Sequence, residues 1–316
     1  MHCGICPYMN LVENLTLTSV GHRLDASEEA FGELRDSSYL IGSGESLRDR
    51  MSEDGYLFVR GFFRREDLLA ARAEIVERLS GEGVLEPGTN PMEVIIRKGS
   101  ESAFRPDLTK ANAPLLSLLY GPHLMGFYGD FFGETARHYD FTWLRAVSPG
   151  KGTRPHCDVV YMGRGTRAKL LTAWVPLGDA PLRLGGLMIL EGSHRKHDLL
   201  RHYLERDVDT YCTNGRHAAD IEAGRKSWEW DGSLSKDPAS LRRKLGGRWL
   251  TTDFEAGDLL TFTMHTVHAS LDNKTEDRIR FSSDSRYQPV SLPADERWVG
   301  ENPIAHSMAG KRGRIC

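Results

Sequence analysis

Apolar residues recur in two rhythms along this chain. Over residues 65–79 they fall at Leu68, Ala71, Ile75 and Leu79, steps of three or four that share one helical face. Leu69 and Val76 widen that stripe, and Gly81 ends it. Residues 113–133 carry a second helical pattern, broken at Gly121-Pro122, where proline removes a backbone donor and restricts the residue before it. Ahead of these helices, the run from Asp54 to Phe63 reads as a turn followed by a β-prone segment. From Tyr139 onward the rhythm changes. Short β-prone runs at 139–147, 170–177, 187–190, 259–264 and 279–287 alternate with Gly and Pro turns. Such a series predicts a sandwich or jelly roll rather than a doubly wound parallel sheet. Residues 1–50, punctuated by Gly42-Ser43-Gly44, are expected to wrap the surface rather than form a domain.

Composition narrows the function classes. The 316 residues are 40% hydrophobic and 27% charged, an ordinary globular balance with ample length for a core. A formal net charge of -3 gives no basic footprint for nucleic acid or an anionic membrane. No apolar run approaches the roughly 18 residues that a membrane span requires, and the first residues lack a charged-then-apolar leader, so the expected location is the cytoplasm. The five cysteines, Cys3, Cys6, Cys157, Cys212 and Cys316, are too few and scattered for a disulfide framework. Cys3 and Cys6 form a C-x-x-C, but with no second pair and no strand-helix unit after it. Cys157 is expected to pack behind its neighbours.

The chemistry concentrates at Arg154-Pro155-His156-Cys157-Asp158. On an extended segment His156 and Asp158 project to one side, so both can reach one ion. With 12 histidines in the chain, this spacing alone is weak evidence. His268 is the candidate third ligand. Two imidazoles and one carboxylate on one face of a metal leave the other face open, the arrangement of non-heme Fe(II) oxygenases.

Several motifs in order sharpen this. Asp54-Gly55-Tyr56-Leu57-Phe58-Val59-Arg60-Gly61, Pro155-His156-Cys157-Asp158 and Thr172-Ala173-Trp174-Val175-Pro176-Leu177-Gly178-Asp179 are followed by Gly185-Gly186-Leu187 and Glu191-Gly192-Ser193-His194-Arg195. Gly257-Asp258-Leu259-Leu260 and His268-Ala269-Ser270, with Asn273, complete the series. The chain thereby resembles the phytanoyl-CoA dioxygenase family over about residues 50–290. The resemblance implies a mainly β fold with flanking helices, a double-stranded β-helix of the jelly-roll, cupin-like kind. It also implies Fe(II) as metal, 2-oxoglutarate as cosubstrate, and O2.

In the family pattern the last metal ligand stands eleven residues beyond the glycine of the Gly-Asp turn. Counting from Gly257 gives His268 rather than His265. The far carboxylate of 2-oxoglutarate requires a cation, and a guanidinium fork suits it. Arg278, Arg280 and Arg286 share one parity on the last strand, so period 2 does not separate them. The family arginine stands eleven residues past the histidine, where this chain has Ile279. Counting back from Tyr287 favours Arg280, with one residue inserted in the preceding loop. Ile279, Phe281 and Tyr287 would then pack outward beneath helices. Trp174 matches a family tryptophan beside the cosubstrate. His194 belongs to a turn and is not a ligand.

The organisation implied is an extension over 1–50, an oxygenase domain over 51–295 with a long insertion at about 196–256, and a tail over 296–316. The insertion holds Trp228 and Arg225, candidate substrate contacts on a lid, against the alternative of a solvated helical excursion. The function expected is hydroxylation of an unactivated C–H of a small organic molecule with release of succinate and CO2. Asp158 argues for hydroxylation over halogenation, since related halogenases have a small residue there. The alternatives are a non-catalytic binding protein on the same fold, and a metal-assisted hydrolase or isomerase.

Overall fold

The computed structural model describes residues 16–316, so the Cys3–Cys6 pair lies outside the described residues. Its strands, in chain order, are β1 (Thr18–Ser19), β2 (His22–Arg23), β3 (Phe31–Glu33), β4 (Tyr56–Val59), β5 (Ala136–His138), β6 (Trp143–Val147) and β7 (Leu171–Pro176). Then follow β8 (Leu187–Leu190), β9 (Thr210–Cys212), β10 (Trp249–Thr251), β11 (Leu259–Thr263), β12 (His268–Ser270), β13 (Arg280–Pro289) and β14 (Arg312–Arg314). The segments expected from alternation correspond to β4, β6, β7, β8, β11 and β13.

Two sheets form the centre. One runs β4-β11-β7-β13-β5, with β6 also on β13, and is antiparallel throughout. The other runs β12-β8-β10-β3 and is antiparallel except where β3 joins β10. Side chains alternate faces along each strand, so each sheet has an inner and an outer set. Phe58, Trp174 and Phe262 of the first sheet meet Leu187, Ile189 and Leu250 of the second in one buried cluster, which places the two sheets face to face.

The outer faces have different covers. Helices Arg65–Gly81, Ala113–Tyr120 and Pro122–Phe132 lay Leu68, Ile75, Leu119 and Leu124 against Val175 and Phe281 of the first sheet. Ile279, Phe281 and Tyr287 point to this helical side, as their parity predicts. Tyr287 stacks on Tyr128 with ring centroids 4.2 Å apart, and its hydroxyl donates to the Leu119 carbonyl at 2.6 Å. The two shorter helices break at Gly121, where a Cβ would lie 2.1 Å from the carbonyl oxygen of Ser117. Across the molecule, Leu190 and Trp249 of the second sheet are covered by Leu200 and Leu241, which belong to helices His197–Leu204 and Pro238–Leu245.

Three features differ from expectation. More described residues lie in helices than in strands, so "mainly β" understates the helical layers that seal both outer faces. Strand β3 lies within residues 1–50 and β10 within 196–256, so both segments complete the second sheet. Three-residue strands are too short to show a period. Finally, Cys212 and Cys316, 104 residues apart, form a disulfide that ties β14 to β9 in parallel pairing. The expectation of no disulfide framework is corrected by this one bridge, whose partners meet only because the tail folds back over the insertion. Cys157 is buried and free. Among the described residues no helix is long and apolar enough to cross a membrane.

The long loop closed by this bridge makes its removal costly. Replacing Cys316→Ser should lower unfolding stability by roughly 2–4 kcal/mol, read as a lower urea midpoint that reductant reproduces in the unaltered protein.

Candidate metal centre

His156 and His268 come together through the backbone. They are opposite one another in an antiparallel bridge, each N–H donating to the other's carbonyl at 3.0 Å. Directly opposed residues project to the same face, and the two rings stand with centroids 4.1 Å apart. Each Nδ1 lies against a carbonyl two residues earlier, His156 on Arg154 at 2.8 Å and His268 on Thr266 at 3.1 Å. A carbonyl only accepts, so each Nδ1 carries the proton and each Nε2 turns a lone pair to the cavity.

Asp158 stands at the start of the short helix Val159–Met162, not on a continued strand as the H-x-D spacing suggested. Its Oδ1 is 3.6 Å from both Nε2 atoms. Its Oδ2 is already engaged, accepting from Thr172 Oγ1 at 2.5 Å and Arg286 Nη2 at 2.8 Å. One carboxylate oxygen is thus fixed and the other faces the imidazoles. Burial would raise this carboxyl, but Arg286, His268 and His156 hold it well below the usual carboxylate range. Burial and the neighbouring His156 push His268 down to about 3. The three ligand atoms lie within 4.8 Å of one another.

Arg280 projects from β13 into the same narrow cleft, which Trp174, Leu187, Phe262 and Ser270 also line. It is 2% exposed, donates through Nη1 to Ser282 Oγ at 3.2 Å, and has no partner for Nε. Burial and nearby Arg145 lower it to about 10, so it stays charged at neutral pH. Its guanidinium carbon is 5.8 Å from the centre of the Trp174 ring. Arg278 instead lies outside the strand, half exposed beside Glu93 at 3.7 Å. His265 is outside the group: its ring meets His197 at 4.8 Å. His194 turns Nε2 to the Ser52 carbonyl at 3.1 Å.

A larger cavity of about 620 Å³ opens on His156, Asp158 and Arg286. Phe104, Trp143, Tyr161 and Trp228 supply aromatic wall, and His306 of the tail closes one side. Trp228 donates to Asp209 at 3.1 Å. Arg225 is absent from this wall; it is exposed and paired with Asp220 at 2.7 Å. Thr172 and Arg286 were the site residues that sequence reasoning did not place on Asp158. Their signal was parity, Thr172 with Trp174 and Arg286 with Arg280.

The donor set fits a divalent metal: two neutral imidazole nitrogens with fixed tautomers, one ionised oxygen, and cavity on the remaining side. A buried guanidinium with a single hydrogen bond, in the cleft beside that set, fits a carboxylate that the fold itself does not provide.

A family model described as Phytanoyl-CoA dioxygenase (PhyH) matches residues 51–282. A 1-deoxypentalenic acid 11-beta-hydroxylase of Streptomyces arenae is 26% identical over 272 residues, 83% of this chain and 87% of that protein. Two solved structures from nogalamycin biosynthesis share the fold. The carbocyclase SnoK is 18% identical with a TM-score of 0.54, covering 83% of this chain and 89% of its own. The epimerase SnoN in complex with Fe3+, alpha ketoglutarate and nogalamycin RO is 22% identical with a TM-score of 0.52, covering 82% and 92%.

Replacing His268→Ala should weaken Fe(II) binding by more than about 100-fold, beyond the effect of losing an outer-shell partner, while His265→Ala leaves it within about threefold; anaerobic titration with a competing chelator reads both. His265 provides a pH test. Burial, with His197 and Arg167 nearby, lowers it to about 4. Between the ordinary histidine value of about 6.5 and that value, the unfolded chain binds a proton that the fold refuses. Stability should therefore fall as pH drops through this window, and His265→Gln should shrink the fall, measured by urea unfolding at pH 7 and pH 4.5.

Proposed function

The chain belongs to the phytanoyl-CoA dioxygenase family, and we propose that His156, Asp158 and His268 hold its iron while Arg280, walled by Trp174, holds the far carboxylate of 2-oxoglutarate. It is an iron- and 2-oxoglutarate-dependent oxygenase. We read the two facing sheets as a double-stranded β-helix whose interior is this site. The observation that carries the assignment is Arg280, a buried cation with one hydrogen bond, set in the cleft that the His-Asp-His group also lines.

When bound, iron with 2-oxoglutarate and O2 supplies the oxidation, with succinate and CO2 as coproducts. The chain supplies the rest. Thr172 and Arg286 fix Asp158 so that one oxygen faces the metal position. Arg154 and Thr266 carbonyls hold the imidazoles in the ligating tautomer. The larger cavity, lined in part by Trp228, takes a small and largely apolar molecule and keeps water from the carbon to be oxidised. With Asp158 in place and hydroxylases among its relatives, the outcome proposed is hydroxylation of a C–H bond.

Under anaerobic conditions, Fe(II) and 2-oxoglutarate added together should give the visible charge-transfer band of a chelated complex. Arg280→Ala should raise the 2-oxoglutarate concentration for half-maximal band by roughly 30-fold or more, as losing one partner of a buried charged pair costs 2 kcal/mol or above. No band in folded, iron-loaded protein would overturn the cosubstrate assignment.

A further inference from the structure

His306 belongs to the tail, yet its ring lines the larger cavity, one aromatic ring removed from the metal ligands. That intervening ring is Tyr161, 5.5 Å from His156 and 6.1 Å from His306, with its hydroxyl donating to the Asp231 carbonyl at 2.6 Å. Nδ1 of His306 faces the carboxylate of Asp209 at 2.8 Å. A carboxylate only accepts, so Nδ1 carries a proton. Nε2 has no partner among the described residues, and it is not sealed in the interior. The side chain is 23% exposed, and Nε2 is not among the unpartnered atoms that the fold closes to water.

The ring is held firmly. Asp209 is fully buried and collects four donors: His306, Arg297 Nη1, Lys311 Nζ at 3.1 Å and Trp228 Nε1 at 3.1 Å. Trp298 and Trp228 pack edge-on against the imidazole, with centroids 4.7 and 5.1 Å away. Charge in this network is matched, because Asp207, Asp209 and Asp295 meet Arg164, Arg297 and Lys311. The network therefore balances without a charge on the ring, which leaves Nε2 a lone pair to offer. Cations elsewhere on the cavity wall also have carboxylate partners, Arg145 with Asp284, Arg154 with Asp231 and Lys151 with Glu101. An accepting nitrogen on a fixed ring, in a wall otherwise rich in aromatic surface, suits a neutral hydrogen-bond donor. A charged group would lose its hydration there while the wall's own charges are already matched.

We propose that Nε2 of His306 accepts a hydrogen bond from a hydroxyl group of the substrate, and that the substrate class is a compact, neutral, largely apolar alcohol. This rests on the oxygenase reading above and names the substrate chemistry of that site. The hydroxyl docks on the tail, while the hydrocarbon body lies along Tyr161 and Trp228 toward the metal ligands. Asp209 is the positioning residue, since its carboxylate holds the ring in the tautomer that accepts. The carbon attacked is then set by its separation from the hydroxyl, because both ends of the molecule meet fixed groups.

The protein is loaded with Ni(II) and 2-oxoglutarate, and calorimetry compares 1-adamantanemethanol with its methyl ether and with adamantane-1-carboxylate, three probes of one apolar body. The unaltered protein should bind the alcohol at least about threefold more tightly than either of the others, the scale of one hydrogen bond. His306→Asn keeps an N–H for Asp209 and removes the acceptor at the Nε2 position. It should abolish the preference for alcohol over ether and leave the ether and 2-oxoglutarate affinities within about twofold. His306→Gln, whose amide reaches the Nε2 position, should restore part of the preference. Three results from the unaltered protein would overturn the proposal: no binding of the alcohol, equal binding of alcohol and ether, or tighter binding of the carboxylate. So would a preference that survives in His306→Asn. Nickel content and melting temperature establish that each variant is folded and loaded, and the unchanged ether affinity separates a lost hydrogen bond from a displaced tail. Failure of the unaltered protein to bind 2-oxoglutarate at all is a different result, against the oxygenase reading itself.

Discussion

The centre of this molecule depends on one backbone pairing, His156 opposite His268. Neither imidazole could be held at a fixed separation by side-chain contacts alone, because each ring turns freely about two bonds until something restrains it. The reciprocal N–H to carbonyl bonds set the two Cα positions, and the Nδ1 contacts to Arg154 and Thr266 set the rings. Asp158 is brought in by the turn that begins helix Val159–Met162, and two donors on Oδ2 leave it one useful oxygen. All of these contacts are made by the chain itself, so the three side chains are held from within the fold.

Strand β13 shows how a sheet carries charge inside. All ten of its residues are buried, yet Arg280, Ser282, Asp284 and Arg286 occupy the face usually kept apolar. The opposite face, with Phe281 and Tyr287, is apolar because helices cover it. A buried guanidinium is costly unless paired. Arg145 answers Asp284, and Asp158 answers half of Arg286. Among the described residues, Nε of Arg280 and Nε and Nη1 of Arg286 are buried without a partner, while Arg280 Nη1 donates to Ser282.

The insertion and tail form the far wall, and they are joined by charge as well as by the disulfide. Arg297 reaches Asp295, Asp207 and Asp209, while His306 and Lys311 also meet Asp209. Burial opposes ionising Asp209, but His306, Arg297 and Lys311 lower it well below its ordinary value. Removing one member would leave a buried charge unpaired, so the network fixes where the tail lies. The tail in turn places His306 beside Trp228 at 5.1 Å, on the cavity wall.

What was legible in the sequence was whatever acts through local periodicity and spacing. The helix stripe over 65–79, six strands and the parity of β13 follow from which side of the backbone a residue occupies, and the break at Gly121-Pro122 from the proline itself. That is a local property. The motif order also pointed to His156, Asp158 and His268, which the fold brings together, and parity with Tyr287 pointed to Arg280, which is buried where Arg278 is exposed. Other features belong to tertiary structure alone. The short strands β3 and β10 exist only because a sheet edge accepts them, and the Cys212–Cys316 bridge only because the tail returns over the insertion. Trp228 and Arg225 look equivalent in sequence; only packing puts one on the cavity wall and the other in solvent. The contact of Arg286 is of the same kind. Its parity says that it points inward, but its partner Asp158 lies 128 residues away in the chain.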